Sequence, residues 1–359
     1  MLPTLQELKL QFGSDKRVVF KEEIVDSETF TIVFYQIADN QFWEQPFATE
    51  VRGHVFDSTG KCVSAALEKF FNLNEQKNTQ QDVLDFTNCV SYEKEDGSQI
   101  TTLVLNDKVY LKTKKTFYSD VAINANKNIK TNEISLVKHL DEFGYTSIFE
   151  YTDPEWQIVV NYGNTPKFTL LAARHKETGE YLTREILESV AIIFDVTIVK
   201  EYKLSLEEML SEVDNVTERE GYVILLKNGT RIKLKFSWYS IQHRVRTMMR
   251  ERDVAEMIVD ETIDDIKSVV VDSGQDISLI ENIEKRVVSE LTEIREYVEN
   301  QVRISQGQDI RKVAERYKKD SHSYLIFRTF KGQDVDYVKF WKDYYLKQYS
   351  LKCVYNTKF

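Results

Sequence analysis

The sequence predicts an α+β fold: antiparallel sheets with flanking helices to about residue 245, then an all-α domain. Three observations carry this. Up to residue 245, short apolar runs alternate with period two and are broken by Gly, Asn-Gly or Asp-Gly. Beyond Trp238-Tyr239 the period changes, and Ile280, Ile283, Val287, Leu291, Ile294, Val298 and Val302 recur at the three- and four-residue steps of one helix face. The chain has 359 residues, 42% of them hydrophobic, enough for two cores. The domains are therefore set at 1–245 and 246–359.

Element by element, "VVFKEEI", "FTIVFYQIA", "VRGHVFD" and "CVSAAL" read as strands, with Thr59-Gly60 turning between the last two. "CVSYEKEDGSQITTLVL" (89–105) and "GYVILLKNGTRIKLKFSWY" (221–239) read as hairpins turned by Asp96-Gly97 and Asn228-Gly229, pairs that suit a two-residue turn needing φ > 0 twice. A two-residue turn at 228–229 sets Tyr222 opposite Lys235 and Ile224 opposite Lys233. Glu220, Tyr222, Ile224, Lys233 and Lys235 then share one face, and Val223, Leu225, Ile232 and Leu234 form the core face. Helices are expected at 132–143, 182–193 and 204–214.

Several classes are excluded by what the sequence lacks. There is no run of eighteen apolar residues to span a membrane, and the N-terminus does not read as a signal peptide. Cys62, Cys89 and Cys353 are an odd, scattered set, which reads as reduced thiols in the cytoplasm. No CxxC, HExxH, GxGxxG, P-loop or GxSxG pattern occurs. Net charge is −10, but it is uneven. Residues 251–310 carry 6 Lys/Arg against 16 Asp/Glu, and residues 311–359 carry 12 against 5 amid many aromatics. Cations interleaved with aromatics suit a nucleic-acid surface; the same pattern also describes an amphipathic helical domain whose aromatics are core.

The chemistry left is that of lysines and carboxylates on strands. Alternation puts Lys94 on the face of Val90 and Tyr92. A lysine is a nucleophile only when its amine loses its proton, which desolvation and neighbouring cations favour. A carboxylate and two ammoniums at Glu220, Lys233 and Lys235 read either as a solvated salt-bridge ladder or as the floor of a polar pocket.

Lys94, Asp96 and Gly97 form a K-x-D-G motif, followed in order by Glu150 in "IFEY", Glu220 in "EREGYV", and Lys233 and Lys235 in "IKLKFSWY". This series resembles the covalent nucleotidyltransferases, the ATP-dependent ligases and mRNA capping enzymes. "VRGHVFD", "EKFFNLNE", "KEDGS", "ETGEY", "EGYV" and "SWY", over residues 30–240, make it most similar to the phage-type RNA ligase 1 family, which repairs broken tRNA anticodon loops. The segment "LKTKKTF" departs from the family where Lys115-Thr116 replaces Gly-Ser, and leaves Lys112 and Lys114 unassigned.

The resemblance implies a nucleotidyltransferase (adenylation) domain and an ATP-dependent RNA ligase. It implies attack by Lys94 on ATP, a lysine–AMP intermediate, AMP transfer to an RNA 5′-phosphate, and sealing by a 3′-hydroxyl. Lys233 and Lys235 would neutralise the α-phosphate, Arg52 and Lys69 would hold phosphate or ribose, and Tyr35 would face the nucleotide. Glu150 and Glu220 would position ribose or metal, with Mg²⁺ (or Mn²⁺) as the ion and Asp264 as a second-domain metal contact. Tyr239 matches a family tyrosine needed for joining. The expected partner is RNA, in particular nicked tRNA, met by a monomer in the cytoplasm, the host's if a phage encodes it. The C-terminal domain would contribute RNA contact. The alternatives are a DNA ligase, a GTP-using capping enzyme, or a non-catalytic RNA-binding protein of the same fold.

Overall fold

A computed structural model describes residues 1–36, 38–243, 249–260, 263, 266–267, 270, 276–333, 335–351 and 354. The chain divides into two compact units, Met1–Ser240 and Ile241–Phe359.

The first unit is α+β and holds three sheets. Sheet 1 is an antiparallel meander of β1 (Val18–Val25), β2 (Glu28–Tyr35), β3 (Arg52–Phe56) and β4 (Cys62–Ser64). Sheet 2 has the order β10-β9-β7-β8, where β7 is Ser98–Leu105, β8 Lys108–Lys112, β9 Tyr145–Thr152 and β10 Lys167–His175. Sheet 3 has the order β11-β6-β12-β13-β5, comprising β5 (Phe71–Asn72), β6 (Val90–Lys94), β11 (Glu201–Tyr202), β12 (Gly221–Leu225) and β13 (Arg231–Lys235). All its pairings are antiparallel except β13 with β5.

Helices α1 (Leu5–Phe12), α2 (Asn40–Trp43), α3 (Asp120–Asn128), α4 (Thr131–Glu142), α5 (Arg184–Ile193) and α6 (Leu206–Glu212) flank the sheets. Their starts obey local chemistry: Ser205 and Glu208 form a reciprocal capping box on α6, and Ser119 caps α3. The spacing-based helices at 132–143, 182–193 and 204–214 thus appear within two residues of their expected ends. The sheet 2 core is built from Ile100, Phe149 and Leu170, against which α4 packs Leu136 and Leu140 and α5 packs Leu187 and Val190.

Two hairpin expectations are corrected. β6 and β7 do not pair; they lie in sheets 3 and 2, and Glu95–Gly97 is a crossover between them. Gly97 does not have a positive φ. It is needed for close approach instead, since a Cβ there would stand 2.5 Å from the Tyr151 carbonyl oxygen. β12 and β13 do pair, but one residue out of the expected register, with Gly221 opposite Lys235, Tyr222 opposite Leu234 and Val223 opposite Lys233. The cause is the turn. The Leu226 N–H donates to Thr230 O and only Gly229 has positive φ (+86°), so the loop has three residues and ends on a left-handed glycine. Tyr222, Ile224, Ile232 and Leu234 are consequently the core face, and Val223 lies on the lysine face.

Helix α7 (Ser237–His243) follows β13, and the described helices after it are α8 (Glu251–Val259), α9 (Ser278–Ile304), α10 (Ile310–Tyr317), α11 (Ser323–Phe330) and α12 (Tyr337–Tyr344). The α9 stripe Ile280, Ile283, Val287, Ile294 and Val298 is buried, with Leu291 and Val302 partly so, as the periodicity requires. Among the described residues, most of the tail's aromatics join the core: Tyr317, Phe340, Trp341 and Tyr349 are buried, Phe330, Tyr337 and Tyr345 pack against them partly buried, and the Trp341 indole N–H donates to Glu290 Oε2 at 2.8 Å. Tyr324 (58% exposed) and Tyr344 (52%) are not.

Candidate active site

The site grows from the register of β6, β12 and β13. Lys94, Gly221 and Lys235 stand in one row, and Tyr92, Val223 and Lys233 in the next. Directly paired residues share a face, so all three lysines project from one side of sheet 3. Gly221, with no side chain, separates Lys94 from Lys235, and the Glu220 carboxylate occupies that gap. It accepts from Lys94 Nζ at 2.8 Å through one oxygen and from Lys235 Nζ at 3.0 Å through the other. Strict alternation from core-facing Tyr222 would turn Glu220 inward. Gly221 at φ +146° breaks that alternation, in a conformation no other residue adopts easily, and a Cβ there would lie 2.0 Å from Leu234 O.

Around this triad the charge is positive. Lys233 Nζ lies 4.6 Å from the Phe70 ring centre. Burial, then repulsion from Lys69, Lys94, Arg52 and Lys235, pushes its pKa down to about 6. Lys69 Nζ sits over Phe71 (4.6 Å) and Trp43 (5.7 Å), and burial lowers its pKa too. Arg52, opening β3, donates to Gln99 Oε1 at 2.5 Å. Lys114 Nζ lies 3.7 Å from the Tyr35 ring centre and is pulled down to about 8 by burial and by Arg52, Lys115 and Lys69. Such mutually repelling, partly desolvated cations form a basin for a polyanion. Lys112 does not belong to it: fully buried, its ammonium donates to Gly53 O (2.7 Å) and Thr101 Oγ1 (3.2 Å), tying sheet 2 to sheet 1.

Sheet 2 contributes Glu150, paired with Gln99 and Thr169. Its Oε1 accepts the Gly97 N–H at 3.2 Å, so it sits against the Lys94 crossover. Burial drives its pKa up to about 8; Lys94 opposes this, and Glu220, Glu95 and Asp96 add to it.

The crossover is pinned by the acidic residue of the Asp-Gly pair. Asp96, 3% exposed, accepts the Val159 and Val160 N–H groups at 2.7 and 2.8 Å through Oδ2, and the Tyr239 hydroxyl at 2.6 Å through Oδ1. Its own N–H donates to Tyr162 Oη at 2.8 Å. Tyr239 is 2% exposed, with Lys235 Nζ 5.0 Å from its ring centre, so it reaches the site through Asp96 and Lys235. Asp96 was visible as a motif member; nothing in the pattern of 157–163 marked that segment as its partner.

The structure thus gathers Lys94, Glu220, Lys233, Lys235, Arg52, Lys69 and Glu150, with Tyr35 and Tyr239 one contact behind. Lys94 is ion-paired rather than faced only by apolar groups and cations. Asp264 lies outside the described residues. Among the described residues, no three His, Cys, Asp or Glu side chains converge on a metal-sized space.

The family model described as RNA ligase matches residues 50–239. A Thermovibrio ammonificans protein named "Putative RNA ligase" is 29% identical over 252 residues, 66% of this chain and 65% of that protein. The match therefore spans just under two thirds of that relative's length. Among solved structures, an archaeal ATP-dependent RNA ligase aligns over 81% of this chain and 79% of that one at 14% identity and TM-score 0.43. A mutant Naegleria gruberi RNA ligase with ATP and Mn aligns over 44% and 52% at 19% identity and TM-score 0.36. Because the matched span runs from just before Arg52 through Tyr239, and so takes in the whole lysine face and the Asp96 clamp, the chain belongs to the RNA ligase family.

Proposed function

We propose that the chain is an ATP-dependent RNA ligase that joins 5′-phosphate and 3′-hydroxyl RNA ends through a lysine–AMP intermediate. The observation that carries this is the Lys94–Glu220–Lys235 bridge beside Lys233: one amine held by a buried carboxylate, facing cations that suit a triphosphate.

In the first step Lys94 Nζ, its ammonium proton lost to solvent, attacks the α-phosphorus of ATP. The bond to the β-phosphate oxygen breaks and pyrophosphate departs. Lys233 and Lys235 meet the charge that grows on the α-phosphate oxygens, where preorganised cations count most. Arg52 and Lys69 hold the departing phosphates, and Glu220 orients the Lys94 amine. In the second step an RNA 5′-phosphate oxygen attacks the same phosphorus, the N–P bond breaks, and Lys94 recovers a proton. In the third, a 3′-hydroxyl attacks the activated 5′-phosphate and gives its proton to solvent, the phosphoanhydride bond to AMP breaks, and AMP leaves. Glu150 would be the protein's ligand to a magnesium or manganese ion brought in with the nucleotide, since Mg²⁺ characteristically takes one or two carboxylates plus phosphate and water. The ion would supply charge neutralisation on the phosphates. That broken tRNA is the physiological substrate rests on the family resemblance alone.

The test is to incubate the protein with divalent metal and α-labelled ATP or GTP and to look for label on the denatured chain. ATP label is expected on wild type and absent from Lys94→Ala. Label that persists in Lys94→Ala overturns the mechanism, and GTP label favours capping chemistry. Joining DNA ends but not RNA ends would move the chain to DNA sealing.

A further inference from the structure

The helical unit carries a groove between α10 and α11, walled by Val313, Ala314, Tyr317, Ile326 and Phe327, with Tyr324 at its rim. Each of its three aromatic rings has a cation beside it. Arg316 lies 6.0 Å from the Tyr317 ring centre, Arg328 5.6 Å from Tyr324, and Lys331 4.4 Å from Phe327. The charge around the groove is equally specific. Residues 309–332 carry seven Lys/Arg against three Asp/Glu, whereas residues 241–308 carry nine against fifteen. An exposed ring with an adjoining cation is what a nucleotide needs: the base stacks on the ring while its phosphate meets the charge.

We propose that this groove binds single-stranded RNA, with one base stacked on Tyr324 and the flanking phosphates on Arg316, Arg328 and Lys331. It is a binding site of the helical unit, made of residues that have no role in the steps assigned to Lys94. An acidic peptide would use the cations but gives no reason for an exposed tyrosine ring held among them. That the strand is RNA rests on the ligase reading above.

The experiment measures binding of a dye-labelled single-stranded RNA with a 5′-hydroxyl and a blocked 3′ end, which cannot react, to the full chain by anisotropy at several salt concentrations. Tyr324→Leu keeps apolar bulk but removes the π face, and is expected to weaken binding about tenfold, within the range of one base–aromatic stack. Tyr324→Phe should bind within about twofold of wild type. Arg328→Ala should reduce the log–log salt slope by about 0.7, one phosphate contact on a single strand. Tyr324 is exposed, so both Tyr324 variants should melt with wild type and take ATP label at Lys94 at the wild-type rate. Unchanged RNA affinity in both Tyr324→Leu and Arg328→Ala overturns the proposal. So does displacement of the RNA by an acidic peptide of equal charge at equal concentration. If wild type takes no ATP label while the Tyr324 series still loses RNA affinity, the ligase reading fails and this site stands.

Discussion

Lys233 is the side chain whose chemistry departs furthest from its free behaviour. Its pKa near 6 means that at pH 7 about nine in ten copies are neutral, because burial and four neighbouring cations oppose the charge. A phosphate chain set among those cations reverses the balance, since opposite charge within a few ångströms favours the ammonium. Nucleotide binding should therefore take up close to one proton between about pH 6.5 and 7.5, with Lys114, pulled down to about 8, adding to the uptake above that. Uptake should fade below pH 6, where Lys233 is already charged. Calorimetry of ATP binding in buffers of different ionisation enthalpy, without divalent metal, reads the uptake directly. Lys233→Met should lose most of it, and equal uptake in both proteins would show that Lys233 is not the group responding. Glu150, pushed up to about 8, is the converse case: a carboxyl kept protonated until a cation approaches.

At the scale of elements, much turns on how β12 enters sheet 3. Gly221 places Glu220 between two lysines by adopting φ +146° where a Cβ would strike Leu234 O at 2.0 Å. Gly221→Ala should cost about 2 kcal/mol or more of stability, from backbone strain and the displaced strand. It should also lower lysine labelling more than it lowers folded protein. Gly229, also left-handed but with no atom near its Cβ position, is the control. There Ala should cost only about 1–2 kcal/mol and leave labelling per folded molecule unchanged. Equal labelling losses at the two glycines would show that Glu220 placement is not what Gly221 provides. The contrast explains what could be read in advance. Alternation located Lys233 and Lys235 on a shared face because side-chain period is local, whereas Lys94 joins them only through the pairing of β6 with β12. The register of β12 against β13 was not readable, because Asn-Gly permits both two- and three-residue loops and the choice moves every β12 side chain to the other face. Asp96-Gly97 misled for a different reason. Its carboxylate is consumed by Val159, Val160 and Tyr239, partners far away in sequence, so a pattern that signals a hairpin serves as a crossover.

Across the first unit, the sheets are tied by buried ionic contacts as well as by apolar ones such as Leu103 of β7 against Phe30, Ile32, Phe34 and Val55 of sheet 1. Arg174 of β10 grips Glu50 with both terminal nitrogens, at 2.9 and 2.8 Å, and also donates to Ala66 O at 2.7 Å. Glu50 leads into β3, two residues before Arg52. Glu68, beside Lys69, accepts from Arg231 of β13 at 2.8 Å and lies 3.5 Å from Arg174. The groups placing Arg52 and Lys69 are thus charged and partly withdrawn from water, and their strength depends on pH. Burial alone would raise the Glu50 pKa, but His54 and Arg174 outweigh it and hold the carboxyl near 2. His54 accepts the Ala66 N–H at Nδ1, leaving Nε2–H to donate to Glu50, and burial lowers its pKa. Both shifts have the same sign. A group whose folded pKa lies below its unfolded one adds stability above the unfolded value, and that stability drains away as pH falls. The His54 share should go first, below about pH 6.5. Glu50 follows between about 4.5 and 2, where its shift is worth about 3 kcal/mol. Urea midpoints taken from pH 7 to pH 3 should fall steeply in wild type. In Glu50→Gln the midpoint should start lower at pH 7 and fall less between pH 5 and 3, because the titrating group is gone. Parallel slopes in the two proteins would place the acid sensitivity elsewhere and detach it from the residues that carry Arg52 into the site.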